Sequence, residues 1–213
     1  MSKVNIAKPI IIQLFGYPGS GKTNFATELA SATNLVHLYA EKISQEFFGK
    51  PYSDNKQNTE KLVTLLAEEF LGAGLGVILD IDSSKARERK KVREFAVKNK
   101  AKSLVVWFQL DQDTAFSRKS RIDRRKSENK YETTISYSDF MDSIKAMQNP
   151  INEDYVVVSG KHTFRTQKAA ILKRLFDLGI TGHAETQANL VKPGLVNLVP
   201  QANLGGSRNI SIR

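Results

Sequence analysis

Eight consecutive residues, Gly16-Tyr17-Pro18-Gly19-Ser20-Gly21-Lys22-Thr23, fit GxxxxGK[ST], the pattern of a phosphate-binding P-loop. Glycines there let the backbone wrap until successive N–H groups point inward at phosphate oxygens, a concavity that side chains would block. A helix starting near Lys22 adds the positive end of its dipole. The Lys22 ammonium is suited to bridge β- and γ-phosphate oxygens, and the Thr23 hydroxyl to ligate Mg²⁺. Asn24 completes the expected nucleotide-binding set.

A second group for the metal is Asp80, which ends the apolar run VILD; the carboxyl end of a parallel strand opens onto a ligand crevice. Asp82 is the runner-up, since alternation puts it on the same side; it also suits capping of the following helix. Arg118, Arg121, Arg124 and Arg125 recur at spacings that share a helix face. Guanidiniums there suit phosphate oxygens, as a lid closing over a nucleotide, or they form a solvated basic face. The glycines of GAGLG (Gly72, Gly74, Gly76) precede a strand rather than joining strand to helix, so they read as a helix stop and loop.

The elements that must hold these groups follow from periodicity. Strands are expected at 9–15 (PIIIQLF), 35–39, 77–81, 103–110 (SLVVWFQL) and 155–158. Helices are expected at 22–32, 58–71, 85–98, 113–126, 138–148 and 164–178. Strands alternating with helices imply a mainly parallel sheet covered on both faces, a three-layer α/β sandwich. From residue 181 the periodicity is lost, Asn, Gln and Gly accumulate, and QANL occurs twice. The expected division is a domain over 1–180 and a disordered tail over 181–213.

The 213 residues carry 32 Lys+Arg against 22 Asp+Glu, a net charge of +10, and supply one well-buried domain. Residues 85–130 hold 16 basic and 6 acidic residues, so the whole excess sits there and points to a polyanionic partner. The absence of Cys excludes disulfides, thiol catalysis and Cys-ligated metals, and three scattered His argue against a His-built metal site. The longest apolar run, 104–108, falls far short of the roughly 20 residues that span a bilayer. The N-terminal apolar run breaks at Gln13 without a cleavage site, so neither a signal peptide nor a membrane partner is expected, and the expected location is cytoplasmic. No DxxG or [NT]KxD occurs, which disfavours a GTPase; the compact size and the arginines favour a small ATP-dependent phosphotransferase.

The blocks GYPGSGKT, YAEKISQEFFG, VILDIDSSKARERKK and SLVVWFQLDQDTAFSRKSRIDRR resemble the P-loop kinase-like group of bacterial ATP-binding proteins. That group is similar to the kinase domain of phage polynucleotide kinase and to zeta toxins. The resemblance covers about 9–178 and implies a P-loop NTPase sandwich with sheet order 2-3-1-4-5. It implies an Asp acting as general base on the acceptor hydroxyl and an Arg three residues later holding acceptor phosphate. The matching positions here are Glu41 and Ser44. Glu41 keeps a carboxylate, and Ser44 lacks the cation that polynucleotide 3′-phosphate recognition needs. Arg121 and Arg125 match the group's lid arginines.

The expected catalytic set is Lys22, Glu41, Arg121 and Arg125, with Thr23 and Asp80 for the metal and ATP and Mg²⁺ as cofactors. The expected reaction moves the ATP γ-phosphate to a hydroxyl of nucleic acid, a nucleotide or a sugar. A competing expectation is an ATP-gated nucleic-acid-binding protein with little or no transfer.

Overall fold

The computed structural model describes residues 3–121 and 129–181. Five strands form one sheet: β1 (Ile10–Gly16), β2 (Val36–Tyr39), β3 (Val77–Asp80), β4 (Lys102–Gln109) and β5 (Tyr155–Ser159). Their order is β2-β3-β1-β4-β5 and every pairing is parallel, with Ile12 beside Ile78 on one side and Leu104 on the other. Strand β1 is central and covered on both faces, which is why it reads as an almost unbroken apolar run.

Helices α1 (Lys22–Ala32) and α7 (Phe164–Asp177) cover one face. There Ile10, Ile12 and Leu14 meet Phe25, Leu29, Leu104, Val106, Phe108 and Ile171. Helices α3 (Lys56–Gly72) and α4 (Ala86–Lys98) cover the other, where Ile11, Leu38, Val77 and Leu79 meet Val63, Ala67, Leu71 and Ala96. The expected three-layer sandwich and strand order are those of the molecule.

Sequence and structure differ in three places. Helix α2 (Ala40–Phe48) was not expected: it follows β2 with no gap, and its capping residue, Tyr39, makes no side-chain cap. Gly49 ends it at φ +63°, its N–H donating to Gln45 O. The basic helix expected over 113–126 is shorter, α5 (Gln112–Ser120). Asp111 caps its start by accepting from the Thr114 N–H, while Arg118, Lys119 and Arg121 crowd three cations into its end. The third concerns the basic stretch 85–102, whose Arg89 is fully buried. Its guanidinium pairs with Glu153 at 2.9 Å, donates to the Ser83 carbonyl at 2.8 Å and lies over the Phe15 ring. Arg93 shares Glu153 at 2.6 Å. Part of the basic excess is therefore internal framework that ties the loop after β3 to the end of β1. Helix α6 (Tyr137–Lys145) docks Phe140 beneath Tyr17 and Phe116. The tail expected from residue 181 falls outside the described residues except for Thr181, which is buried.

Candidate active site

The carboxyl ends of β1, β2 and β3 open onto a cleft of about 920 Å³, its floor made by the P-loop. Between β1 and α1 the chain turns through three glycines at positive φ: Gly16 (+147°), Gly19 (+83°) and Gly21 (+94°). Two of them are also short of room. A Cβ on Gly16 would lie 2.6 Å from Phe108 O, and one on Gly19 2.2 Å from Ala115 O. A Cβ on Gly21 would meet nothing within 4 Å. Helix α1 starts there with no capping side chain and no acidic residue in its first turn. Its first N–H groups are thus left to an anion, and the loop fits a polyphosphate.

The Lys22 ammonium turns back into this loop, donating to Gly16 O at 2.7 Å and Tyr17 O at 2.9 Å. Burial pulls its pKa down to about 8, and the neighbouring Lys119 adds to the fall, while Asp80 and Asp82 oppose it. Thr23 and Asn24 follow on the cleft wall, as do Pro18, Gly19 and Gly21; Tyr17 packs on Phe140, and Ser20 is buried beneath the loop.

Asp80 ends β3 and faces the cleft, 3.2 Å from His37 Nε2. Asp82 is also on the wall, but Lys56 Nζ holds it at 2.7 Å and it accepts from the Ser84 N–H. Those bonds keep it below the usual carboxylate range despite its burial, and leave Asp80 as the freer oxygen donor. A hydroxyl from Thr23 and a carboxylate from Asp80 suit a hard cation that takes its remaining oxygens from phosphate and water. No cluster of three or more His, Asp or Glu among the described residues would hold a metal without them.

Glu41 stands in the first turn of α2, on the same cleft. Burial raises its pKa; the backbone N–H of Tyr52, donating to Oε2 at 3.3 Å, and the charge of Lys119 work against that rise. Ser44, three residues on, is fully buried and donates to Lys50 O at 2.8 Å, away from the cleft.

The lid residues divide. Arg125 lies outside the described residues, with Arg124. Arg121 is exposed at the end of α5 and is not part of the cleft wall. Arg118 is, and it donates to Gly160 O at 2.9 Å. So is Lys119, 3.7 Å from Glu132. Sequence reasoning passed over Lys119, Glu132, His37, Tyr39 and Tyr52 as site residues. Only Lys119, inside the basic run, carried a signal that could have found it. Glu132 belongs to a short arm held on β2 and α2, where Asn129 Nδ2 donates to the Tyr39 hydroxyl and Lys130 pairs with Glu46 at 3.0 Å.

Comparison with known proteins places the fold. A gluconokinase from Sinorhizobium meliloti 1021 superposes with TM-score 0.56 at 16% identity, covering 82% of this chain and 94% of that one. Kti12 of Chaetomium thermophilum, in complex with ADP-AlF3, gives TM-score 0.62 at 17% identity over 81% and 100%. A sugar kinase from Janibacter sp. HTCC2649 gives 0.52 at 20% over 81% and 95%. At these identities the likeness is one of fold. No curated protein sequence matches the chain. The AAA domain family matches residues 11–150, which run from β1 past the cleft-lining end of α6, and the chain belongs to that family.

Proposed function

We propose that the protein is a Mg²⁺-dependent phosphotransferase that moves the γ-phosphate of ATP to an acceptor hydroxyl. The observation that carries this reading is the convergence of Lys22, Asp80 and Glu41 on one cleft. ATP phosphates lie along the P-loop N–H groups, and Lys22 exchanges its two carbonyl partners for β- and γ-phosphate oxygens. Thr23 and Asp80 would hold the metal, which neutralises charge on those oxygens. Glu41 takes the proton of the acceptor hydroxyl. The acceptor oxygen forms its bond to the γ-phosphorus as the bond to the β–γ bridging oxygen breaks, and the electron pair leaves on ADP. A carboxyl made more basic by burial is better matched to that proton at neutral pH. Lys119 lines the cleft and its charge acts on both Lys22 and Glu41, so it, rather than the exposed Arg121, stabilises the transferring group.

The alternative, an ATP-gated nucleic-acid-binding protein, would draw on residues 85–102. Of the nine basic residues there, five (Arg89, Lys90, Lys91, Arg93 and Lys98) have carboxylate partners. That favours transfer over polyanion binding. The test is to incubate the chain with γ-labelled ATP, Mg²⁺ and a panel of 5′-hydroxyl oligonucleotides, nucleosides, UDP-sugars and polyols. Label in an acceptor, lost in Lys22→Ala, supports the reading. Salt-sensitive binding of single strands with no labelled acceptor sinks it in favour of the alternative.

A further inference from the structure

Asp80 is the last residue of β3, and its carboxylate can turn about two side-chain bonds. Its charge acts on Lys22, Tyr39 and Glu41. Unrestrained, such a carboxylate is drawn to the Lys22 ammonium, which would pull that cation off the loop carbonyls and take an oxygen from the metal. A neighbouring strand restrains it. In the parallel register Tyr39 lies beside Asp80 and His37 beside Ile78, so His37 and Asp80 are diagonal neighbours on one sheet face. The His37 Nε2 stands 3.2 Å from Asp80 Oδ2. An ionised carboxylate only accepts, so the imidazole N–H is the donor. No other hydrogen bond to the Asp80 carboxylate is made among the described residues, which leaves Oδ1 for a cation or its water.

His37 is itself held. It is mostly buried and is not part of the cleft wall. Its ring stacks on Tyr39, with centroids 5.6 Å apart and planes 16° from parallel. Tyr39 is fixed in turn: its hydroxyl accepts from Asn129 Nδ2 at 3.0 Å, and its ring packs edge to face with Tyr131. A chain of contacts thus runs from the arm at 129–131 through Tyr39 and His37 to the carboxylate. Filling the sheet edge beside Ile78 calls only for an apolar side chain. An imidazole there adds a directed donor.

We infer that His37 is a positioning residue for the metal: by holding Asp80 Oδ2 it keeps Oδ1 turned into the cleft, toward the cation that Thr23 also serves. It acts through Asp80 and touches neither ATP nor the acceptor. The inference rests on the assignment of Thr23 and Asp80 to Mg²⁺ in the phosphotransferase reading.

The test reads metal coupling rather than turnover. ATP binding to the full chain is measured by calorimetry in EDTA and again in saturating Mg²⁺, and the gain in affinity between the two is compared among variants. His37→Phe keeps a ring against Tyr39 and removes the donor, whereas His37→Gln places an N–H near the position of Nε2. The gain is expected to shrink about tenfold in His37→Phe, the scale on which the partners of metal ligands act. Affinity in EDTA should stay within about twofold, and His37→Gln should recover most of the gain. Added to Asp80→Ala, His37→Phe should change nothing further, because the group it positions is gone. A gain unmoved in His37→Phe but reduced in Asp80→Ala overturns the inference and leaves the metal site standing. Equal losses in the Phe and Gln variants, with weaker binding in EDTA, overturn it in favour of a purely structural histidine. A gain unmoved in Asp80→Ala is the separate failure of the metal assignment, and the inference falls with it.

Discussion

At the proposed phosphate end of the cleft the groups on offer come mainly from backbone. Three glycines at positive φ and the uncapped start of α1 aim N–H groups into the cleft, and Lys22 docks on two carbonyls of the same loop. At the acceptor end they come from side chains brought in by five separate segments: Tyr39 on β2, Glu41 on α2, Tyr52 in the turn after it, Asp82 beyond β3, and Glu132 on the arm over β2. Backbone chemistry needs particular residue types at fixed adjacent positions, so it leaves a contiguous trace in sequence. A pocket assembled from distant side chains leaves none. The two ends should also respond differently to substitution, and the largest effects separate them best.

Lys22→Ala strikes the phosphate end. It should lower nucleotide-dependent turnover by about 10³-fold, the scale of losing a positioned charge from a transition state. Thermal unfolding of the ligand-free protein should not suffer, because the ammonium is held against burial. The sign can be checked by pH. Lys22 falls from 10.5 to about 8 on folding, so between those values the unfolded chain binds more protons and stability rises with pH. Denaturant titrations from pH 7 to 11 should show that rise in the native protein relative to Lys22→Ala. A parallel pair of curves would mean that the amine is not desolvated.

Next come the glycines, which differ among themselves. Gly19→Ala combines φ +83° with a contact of 2.2 Å to Ala115 O, and should cost about 3 kcal/mol in urea unfolding. Gly21→Ala has open space and strain alone, nearer to about 1 kcal/mol. Its Cβ would still narrow the room that phosphate needs, so ATP affinity should fall more than stability does. Equal stability losses at the two positions would break this distinction between packing and ligand room.

How legible the molecule was in its sequence divides along the same line. The P-loop and the five strands could be read because the loop is contiguous and β1 is apolar but for Gln13, while the strand order followed from the family resemblance that the spaced blocks carry. Asp80 could be read because a strand end predicts its exposure to the crevice. Helix α2 could not, since Tyr39 ends a strand and starts a helix with no capping signal. Nor could the fate of Arg89: in sequence it is one cation in a basic run, and only the fold brings Glu153 to it from 64 residues away. Tyr52 and Glu132 have no local pattern at all, because their partners are set by the packing of α3 and of the arm over β2.

Glu41→Gln probes the acceptor end. Phosphoryl transfer should fall by about 10²-fold, with ATP affinity unchanged. Since burial raises the Glu41 pKa, the acidic limb of the native rate profile should lie above the ordinary glutamate value of 4.5, activity falling as pH drops through it. In stability the sign is opposite to that of an ion-paired carboxylate. The folded state holds the proton more tightly than the unfolded chain, so the charged form costs stability above the folded pKa, and that cost vanishes in acid. Glu41→Gln should therefore be as stable as the native protein or more so at neutral pH. A loss of activity accompanied by a loss of stability would argue for a structural carboxylate instead.

The smallest effect tests the boundary of the acceptor end. Ser44 occupies the position where the resembling kinases carry a phosphate-binding Arg, yet its hydroxyl is spent on the Lys50 carbonyl, closing the turn at Gly49. Ser44→Ala removes that hydrogen bond and leaves the carbonyl short of one donor, a cost of about 1 kcal/mol. The urea midpoint should drop accordingly, and kcat/KM for the acceptor should stay within about twofold, since a shift that small is under about 0.5 kcal/mol of transition-state binding. The informative contrast is between the two readouts. A raised acceptor KM with an unchanged midpoint would mean that Ser44 reaches the acceptor, and the pocket's edge would then have to be drawn one helical turn further along α2.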